Sequence, residues 1–326
     1  MKRLFSVAPM LDWTDTHCRY FHRLLTKHAV LYTEMVTTGA LLQGQTERYL
    51  SFNQAEHPVA LQLGGSEPKE MAQCAVLAAD FGYDEVNINV GCPSERVQKG
   101  AFGACLMAEP QLIADCVAAM QAKVSIPVTV KNRIGIDDQA DYEGLHNFVS
   151  TVAEAGCQTF IIHARKAWLK GLSPKENREI PPLRYDLVYQ LKQAFPQLEI
   201  IINGGITSIE ACQTHLQSVD GVMLGREVYH NPWILAAVDS AIYGVSASPL
   251  DRYAVLEQLL VYIQQQQAQG VRVSHIGRHI LGLFQGLPGA RQWRRHLSEQ
   301  MHRPEASLNV FKQAAKKVLD ASPSSL

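Results

Sequence analysis

Eight short β-rich apolar runs alternate with longer stretches of helical periodicity, and this alternation restricts the fold more than any other feature of the chain. The runs are FSVAP at Phe5, VLYTEMV from Val30, PVALQL from Pro58, DEVNINV from Asp84, PVTVKN from Pro127, TFIIHA from Thr159, EIIING from Glu199 and DGVMLG from Asp220. Strands separated by helices pair in parallel, because a long crossover returns the chain to the same end of the sheet. Eight of them predict a closed (β/α)8 TIM barrel of the α/β class with helices outside. A doubly wound open sheet shares the alternation, so what the strands carry at their ends has to separate the two. PKEMAQCAVLAADFG, with Pro68 in a first turn and Gly82 as a stop, and EPQLIADCVAAMQAKV, with Pro110 early, read as covering helices.

Beyond Asn231-Pro232 the strand pattern ends. LDRYAVLEQLLVYIQQQQAQG, HIGRHILGLFQGLPGARQWRRHLSEQ and NVFKQAAKKVLDAS read as helices, and the small polar stretch GVSASPL reads as a linker. The boundary is expected at residue 245, with a barrel over 1–245 and an all-helical domain over 246–326. A chain of 326 residues accommodates both, since a barrel takes about 250. The final DASPSSL is expected to fray.

Net charge is −1, which excludes nucleic-acid binding by bulk positive charge, but its distribution is uneven. From Asp251 onward there are ten Lys/Arg against five Asp/Glu, whereas residues 1–250 hold 20 against 26. The tail is basic and the barrel acidic. No apolar run approaches the ~18 residues of a membrane span. MKRLFSVAPM enters the first strand directly, without an apolar h-region or cleavage site. Seven widely spaced cysteines with no C-x-x-C pair suggest neither a disulfide framework nor a metal site. A cytoplasmic protein is expected, and a monomer.

In a barrel the loops at the carboxyl ends of the strands converge on one mouth. The strands deliver to it Ala8-Pro9-Met10, Glu34, Gln62, Asn87 and Asn89 leading to Cys92, Lys131, His163, Asn203-Gly204-Gly205, and Gly225-Arg226. Each would cost roughly 1–3 kcal/mol if buried unpaired, so a ligand is expected to satisfy them. Glycine turns after strands seven and eight, with Arg226 beside them, suit a phosphate. Lys131 could be a Schiff-base amine or a cation against an electron-rich cofactor. Gln62 could meet an imide edge, and Pro9-Met10 could form a platform for a flat ring. Together these suit an isoalloxazine, with Lys131 opposite the negative charge of its reduced form.

The runs VAPMLDWTD, ALQLGGS, NVGCPS, TVKNRIGID, FIIHARKAWLKGLSPKENREIPPL, INGGI, MLGREVYHNPW and LGLFQGLPGARQWRRHLS resemble the tRNA-dihydrouridine synthases, specifically the A subfamily, over almost the whole chain. The resemblance implies FMN as cofactor, contacted by Pro9, Met10, Leu11, Gln62, Lys131, His163, Asn203, Gly204, Gly205, Gly225 and Arg226. It also implies NADPH as reductant, uridines 20 and 20a of the tRNA D-loop as targets, Asn89 near the target base, and tRNA contacts from Lys175, Arg178, Arg291 and Arg294. Reducing the C5–C6 double bond of uridine needs a hydride at C6 and a proton at C5. Cys92 resembles the acid: a thiol with an ordinary pKa of about 8.5 is mostly protonated at neutral pH. Extruding a base from folded RNA costs a few kcal/mol, which the basic tail could help to supply.

Three other readings compete. One is an FMN barrel acting on a free pyrimidine, like dihydroorotate dehydrogenase; another is a Schiff-base lyase using Lys131; the third is a non-catalytic RNA-binding module with a relic pocket.

Overall fold

The computed structural model describes residues 1–139, 141–246 and 249–321. Eight parallel strands close into a barrel in sequence order: β1 (Phe5–Val7), β2 (Val30–Thr37), β3 (Val59–Gly64), β4 (Glu85–Val90), β5 (Val128–Arg133), β6 (Thr159–His163), β7 (Glu199–Asn203) and β8 (Gly221–Leu224). Every expected run supplies one of them, and the closure of β1 on β8 removes the open-sheet alternative. The covering helices include Pro68–Phe81, whose N-terminus is capped by the Glu67 carboxylate and whose C-terminus is closed by Gly82, and Pro110–Gln121.

Side-chain alternation divides the barrel interior into layers. Ala8, Val30, Tyr32, Ala60, Ile161, Ile201 and Met223 form an apolar middle. Below it, at the amino ends of the strands, lies a buried charged floor. Arg3 Nε meets Glu85 Oε2 at 2.6 Å and Arg3 Nη1 meets Glu199 Oε2 at 2.7 Å. The Tyr32 and Thr129 hydroxyls both donate to Glu85 Oε1 at 2.6 Å, and Thr159 donates to Glu199. Burial alone would lower the Arg3 pKa; the two carboxylates outweigh it and hold the guanidinium above its ordinary range.

The chain divides into two compact units, one of Met1–Asp12 with Ala29–Gly225, the other of Trp13–His28 with Arg226–Leu326. The sequence placed the change at 245/246; the contacts place it after Gly225, and they join Trp13–His28 to the C-terminal helices. Within the second unit Asp15 caps helix Thr16–Leu25 through the Cys18 N–H and receives Arg278 at 2.6 Å and His279 at 3.0 Å. That polar knot explains why a segment so early in sequence belongs here. Helices Arg252–Ala268, Ala290–Gln300 and Leu308–Ala321 form much of the rest. The stretch read as one helix from His275 to Gln300 is broken: helix Val273–Gly277 ends, turns follow, and Pro288 precedes a new start at Ala290. Proline cannot continue a helix backward, because its ring clashes and it has no N–H. Two residues of GVSASPL, Ala247 and Ser248, and the tail beyond Ala321 lie outside the described residues.

Candidate active site

At the carboxyl mouth two groups of residues expected there are hydrogen-bonded, one on β3 and β4 and one on β5 and β7. Asn89 Nδ2 donates to Gln62 Oε1 at 2.8 Å, and Gln62 Nε2 donates to Asn87 Oδ1 at 2.8 Å. Asn89 Oδ1 accepts from the backbone N–H groups of Gly91 (3.1 Å) and Cys92 (3.0 Å), so the loop after β4 is pinned by a side chain of its own strand. The Cys92 carbonyl accepts from Ala104 N, which fixes the far side of the same loop. Gln62, expected at an imide edge, is 1 % exposed, with its amide engaged by the two asparagines.

Of the seven cysteines, Cys92 and Cys105 alone are part-exposed. Burial pushes the thiols of Cys74, Cys116, Cys157 and Cys212 up to about 12, as inert core groups.

Lys131 and Arg133 point to the same side of β5 because they are two residues apart. Lys131 Nζ donates to Asn203 Oδ1 at 3.2 Å, and Asn203 Nδ2 donates to the Met223 carbonyl, linking β5, β7 and β8. Arg133 donates to the carbonyls of Gly91 (3.1 Å), Lys166 (3.2 Å) and Asn177 (2.9 Å). Burial, then the Arg133 charge, lower Lys131 to about 7; Cys92 opposes them. Burial also lowers Arg133 to about 10. Burial followed by Arg133, Lys131, Arg165 and Arg178 pushes His163 far below the ordinary histidine range, leaving a neutral imidazole at pH 7. A half-buried lysine and a buried arginine are thus met by neutral oxygens, an arrangement suited to an anion.

The glycine turn after β7 has no room for side chains. Gly204 (φ +113°) would place a Cβ 2.5 Å from the His163 ring, and Gly205 (φ +72°) would place one 2.5 Å from Leu183. Gly225 sits where a Cβ would lie 3.5 Å from Ala8 Cβ and Met10 Sδ, which brings the β8 turn against the loop after β1. The Asp12 N–H donates to Glu34, holding the Pro9–Leu11 segment at the β2 end. Leu11 is 65 % exposed.

A cavity of about 730 Å³ is lined by Pro93, Ser94 and Glu95, which follow Cys92 in the chain, and by Leu169, Gly171, Leu172, Ser173 and Pro174. The second wall is shaped by Asn177. It is fully buried, its Oδ1 accepts from Trp168 N, and its Nδ2 donates to the carbonyls of Trp168, Leu172 and Ser173. Exposed Lys175 and Arg178 flank it. Arg133 and Asn177 were not selected from sequence. The period-two pattern of β5 carries a signal for Arg133; nothing in the polar run KENRE marks Asn177 as buried. In the second unit, Arg226 opens helix Arg226–His230. Exposed Arg291 and half-buried Arg294 lie on helix Ala290–Gln300, where Arg294 Nη1 donates to Gln285 at 2.6 Å.

A family model described as dihydrouridine synthase matches residues 6–320. The chain belongs to the dihydrouridine synthase family. It is 62 % identical over 314 residues to a protein of Vibrio vulnificus, covering 96 % of each chain. It is 63 % identical over 318 residues to one of Shewanella oneidensis, covering 98 % of this chain and 95 % of the relative. It is also 63 % identical over 317 residues to one of Escherichia coli K12, covering 97 % and 92 %. All three relatives are named tRNA-dihydrouridine(20/20a) synthase. Membership displaces the lyase reading, which the lowered pKa of Lys131 would by itself have allowed. Among the described residues no helix is long and apolar enough to cross a membrane, and no group of His, Cys, Asp and Glu is arranged to hold a metal ion.

Proposed function

We propose that this synthase reduces uridines 20 and 20a of tRNA to dihydrouridine in the cytoplasm, as a monomer, using FMN held at the barrel mouth and NADPH as reductant. The observation that carries the reading is the pair of half-buried Lys131 and buried Arg133, met by neutral oxygens next to a glycine turn that admits no side chain and within electrostatic reach of Cys92. Those residues fit FMN. Lys131, Asn203 and His163 offer polar contacts, Gly204, Gly205 and Gly225 would receive the phosphate, and Pro9, Met10 and Leu11 with Gln62 would border the ring. Bound FMN would supply the hydride for uridine C6.

The remaining tasks fall to the chain itself. Asn89 would orient the base while holding the Cys92 loop. Cys92 would give its S–H proton to C5, so that the S–H bond breaks as the C–H bond forms. Bulk water then reprotonates the sulfur. Lys175 and Arg178 of the barrel unit and Arg291 and Arg294 of the helical unit would meet RNA phosphates. Their binding energy offsets the few kcal/mol needed to unstack the base. The barrel is thus the catalytic domain and the helices an RNA-binding one.

The direct test is dihydrouridine mapping after incubating the FMN-loaded protein and NADPH with unmodified tRNA. Product at 20 and 20a and none from free uridine is expected. Equal turnover of free uridine would replace this reading with a free-pyrimidine reductase.

Lys131 gives a second test. A group whose pKa is about 7 without ligand and higher beside an anion binds that anion fully below pH 7 and loses the gain as pH rises. FMN affinity, read by quenching of flavin fluorescence, is expected to weaken above pH 7 by up to about tenfold per pH unit. Lys131→Met should bind more weakly, with a flat profile over the same range.

A further inference from the structure

The hydrogen bonds that reach Cys92 begin at the opposite end of the barrel and run in one direction only. Glu85 is engaged by Arg3, so its carboxylate accepts and does not donate. Its Oε1 takes the single hydroxyl hydrogen of Thr129 at 2.6 Å. Thr129 Oγ1 then has only acceptor capacity left, and it receives Asn87 Nδ2 at 2.8 Å. This settles which way the Asn87 amide faces: nitrogen toward Thr129, oxygen toward Gln62. The oxygen accepts from Gln62 Nε2, which turns the Gln62 oxygen toward Asn89, and that oxygen accepts from Asn89 Nδ2. Asn89 is left with its own oxygen facing the N–H groups of Gly91 and Cys92, the one orientation in which it can hold them. Reversing Asn87 or Gln62 alone would set donor against donor within the chain, and reversing Asn89 would do so at the loop itself. Glu85, Asn87, Thr129 and Gln62 are all 0–1 % exposed, so water is not at hand to repair a broken link.

We propose that Thr129 and Asn87 are positioning residues for the proton-donating cysteine, transmitting the polarity of the Arg3–Glu85 floor through Gln62 and Asn89 to the backbone of Cys92. The inference rests on the role given to Cys92 above. It extends that role to Asn87, the deepest of the three amides, and to Thr129 beneath it. The chain also accounts for an otherwise costly arrangement, three amide side chains stacked in a barrel interior that apolar residues could fill.

The test uses the FMN-loaded full chain and three variants. Thr129→Val keeps the shape and cuts the chain; Thr129→Ser keeps the hydroxyl. Tyr32→Phe removes an equally short hydrogen bond to the same Glu85 oxygen without touching the chain. Two quantities are read: kcat and KM for tRNA, and the rate at which iodoacetamide alkylates Cys92, resolved by peptide mass spectrometry. Thr129→Val is expected to lower kcat by roughly 10- to 100-fold, the loss associated with misplacing a reacting group by about 1 Å. KM for tRNA and the flavin spectrum should hold, and the alkylation rate of Cys92 should change. Thr129→Ser should restore both quantities, and Tyr32→Phe should leave both at wild-type values. If Thr129→Val matches Tyr32→Phe in kcat and alkylation, the proposal is overturned. Should Thr129→Val not yield folded holoprotein, Asn87→Ala cuts the chain one link higher with Glu85 still paired, and its two readouts decide in the same way. Alkylation also separates this inference from the assignment of Cys92: if Cys92 proves dispensable for turnover, an unchanged alkylation rate in Thr129→Val still overturns positioning and a changed one still supports it.

Discussion

Cys92→Ala is expected to lower dihydrouridine formation in tRNA by roughly 10²- to 10⁴-fold, the range typical of losing a positioned general acid. Flavin content and tRNA affinity should be little altered. The expectation of a purely chemical loss comes from how the loop is held. Both the Cys92 N–H and its carbonyl are fixed by other groups, Asn89 Oδ1 and Ala104 N, so the backbone does not depend on the sulfur for its place. The reaction can be divided to check this. Reduction of bound flavin by NADPH should proceed in the variant at the wild-type rate, while discharge of the reduced enzyme by tRNA should slow by the full factor. Equal discharge rates would make the thiol a bystander and would require another acid at the mouth. Failure of both proteins to discharge, with tRNA still bound, would favour the non-catalytic RNA-binding reading instead.

The residues of this mouth were legible in sequence to the extent that a strand's last residues are local information. With eight runs in hand, Gln62, Asn89, Lys131, His163 and Asn203 follow from position alone, and the structure hydrogen-bonds Gln62 to Asn89 and Lys131 to Asn203. Arg133 lies one period further along β5 and carries the same signal, but the expected run PVTVKN stops at Asn132, one residue short of it. Asn177 was not legible. Its neighbours are charged and exposed, and only the folding of Leu169–Arg178 around its amide shows it to be the support of a cavity wall. The membership of Trp13–His28 in the helical unit was also invisible. An amphipathic helix reveals that one face is covered, not what covers it, and Asp15, Arg278 and His279 meet across more than 260 residues of sequence. The break before Ala290 is hidden for a different reason: helical periodicity continues through Gly286, Pro288 and Gly289, although proline stops the helix there.

The floor of the barrel supplies the other large effect, this time on stability. Arg3→Met is expected to destabilise the barrel by about 3–5 kcal/mol, because removing one partner of a buried pair strands the other charge. Glu85 has no exposed surface and cannot turn to solvent, whereas Glu199, 28 % exposed, can partly rehydrate, so most of the penalty falls on Glu85. Because the chain has two compact units, a single unfolding free energy is not well defined; hydrogen exchange of the β3 to β5 amides reads the barrel directly. Loss of protection in Arg3→Met should be partly reversed by adding Glu85→Gln, which removes the stranded charge while leaving an oxygen for Tyr32 and Thr129. Replacing Arg184, whose pairing with Asp186 is solvent-exposed on both sides, should change protection by less than about 1 kcal/mol. If Arg3→Met were as mild as the Arg184 replacement, the floor would be acting as a solvated surface cluster. If Glu85→Gln deepened the defect instead of relieving it, the hydrogen bonds of the carboxylate would outweigh its charge.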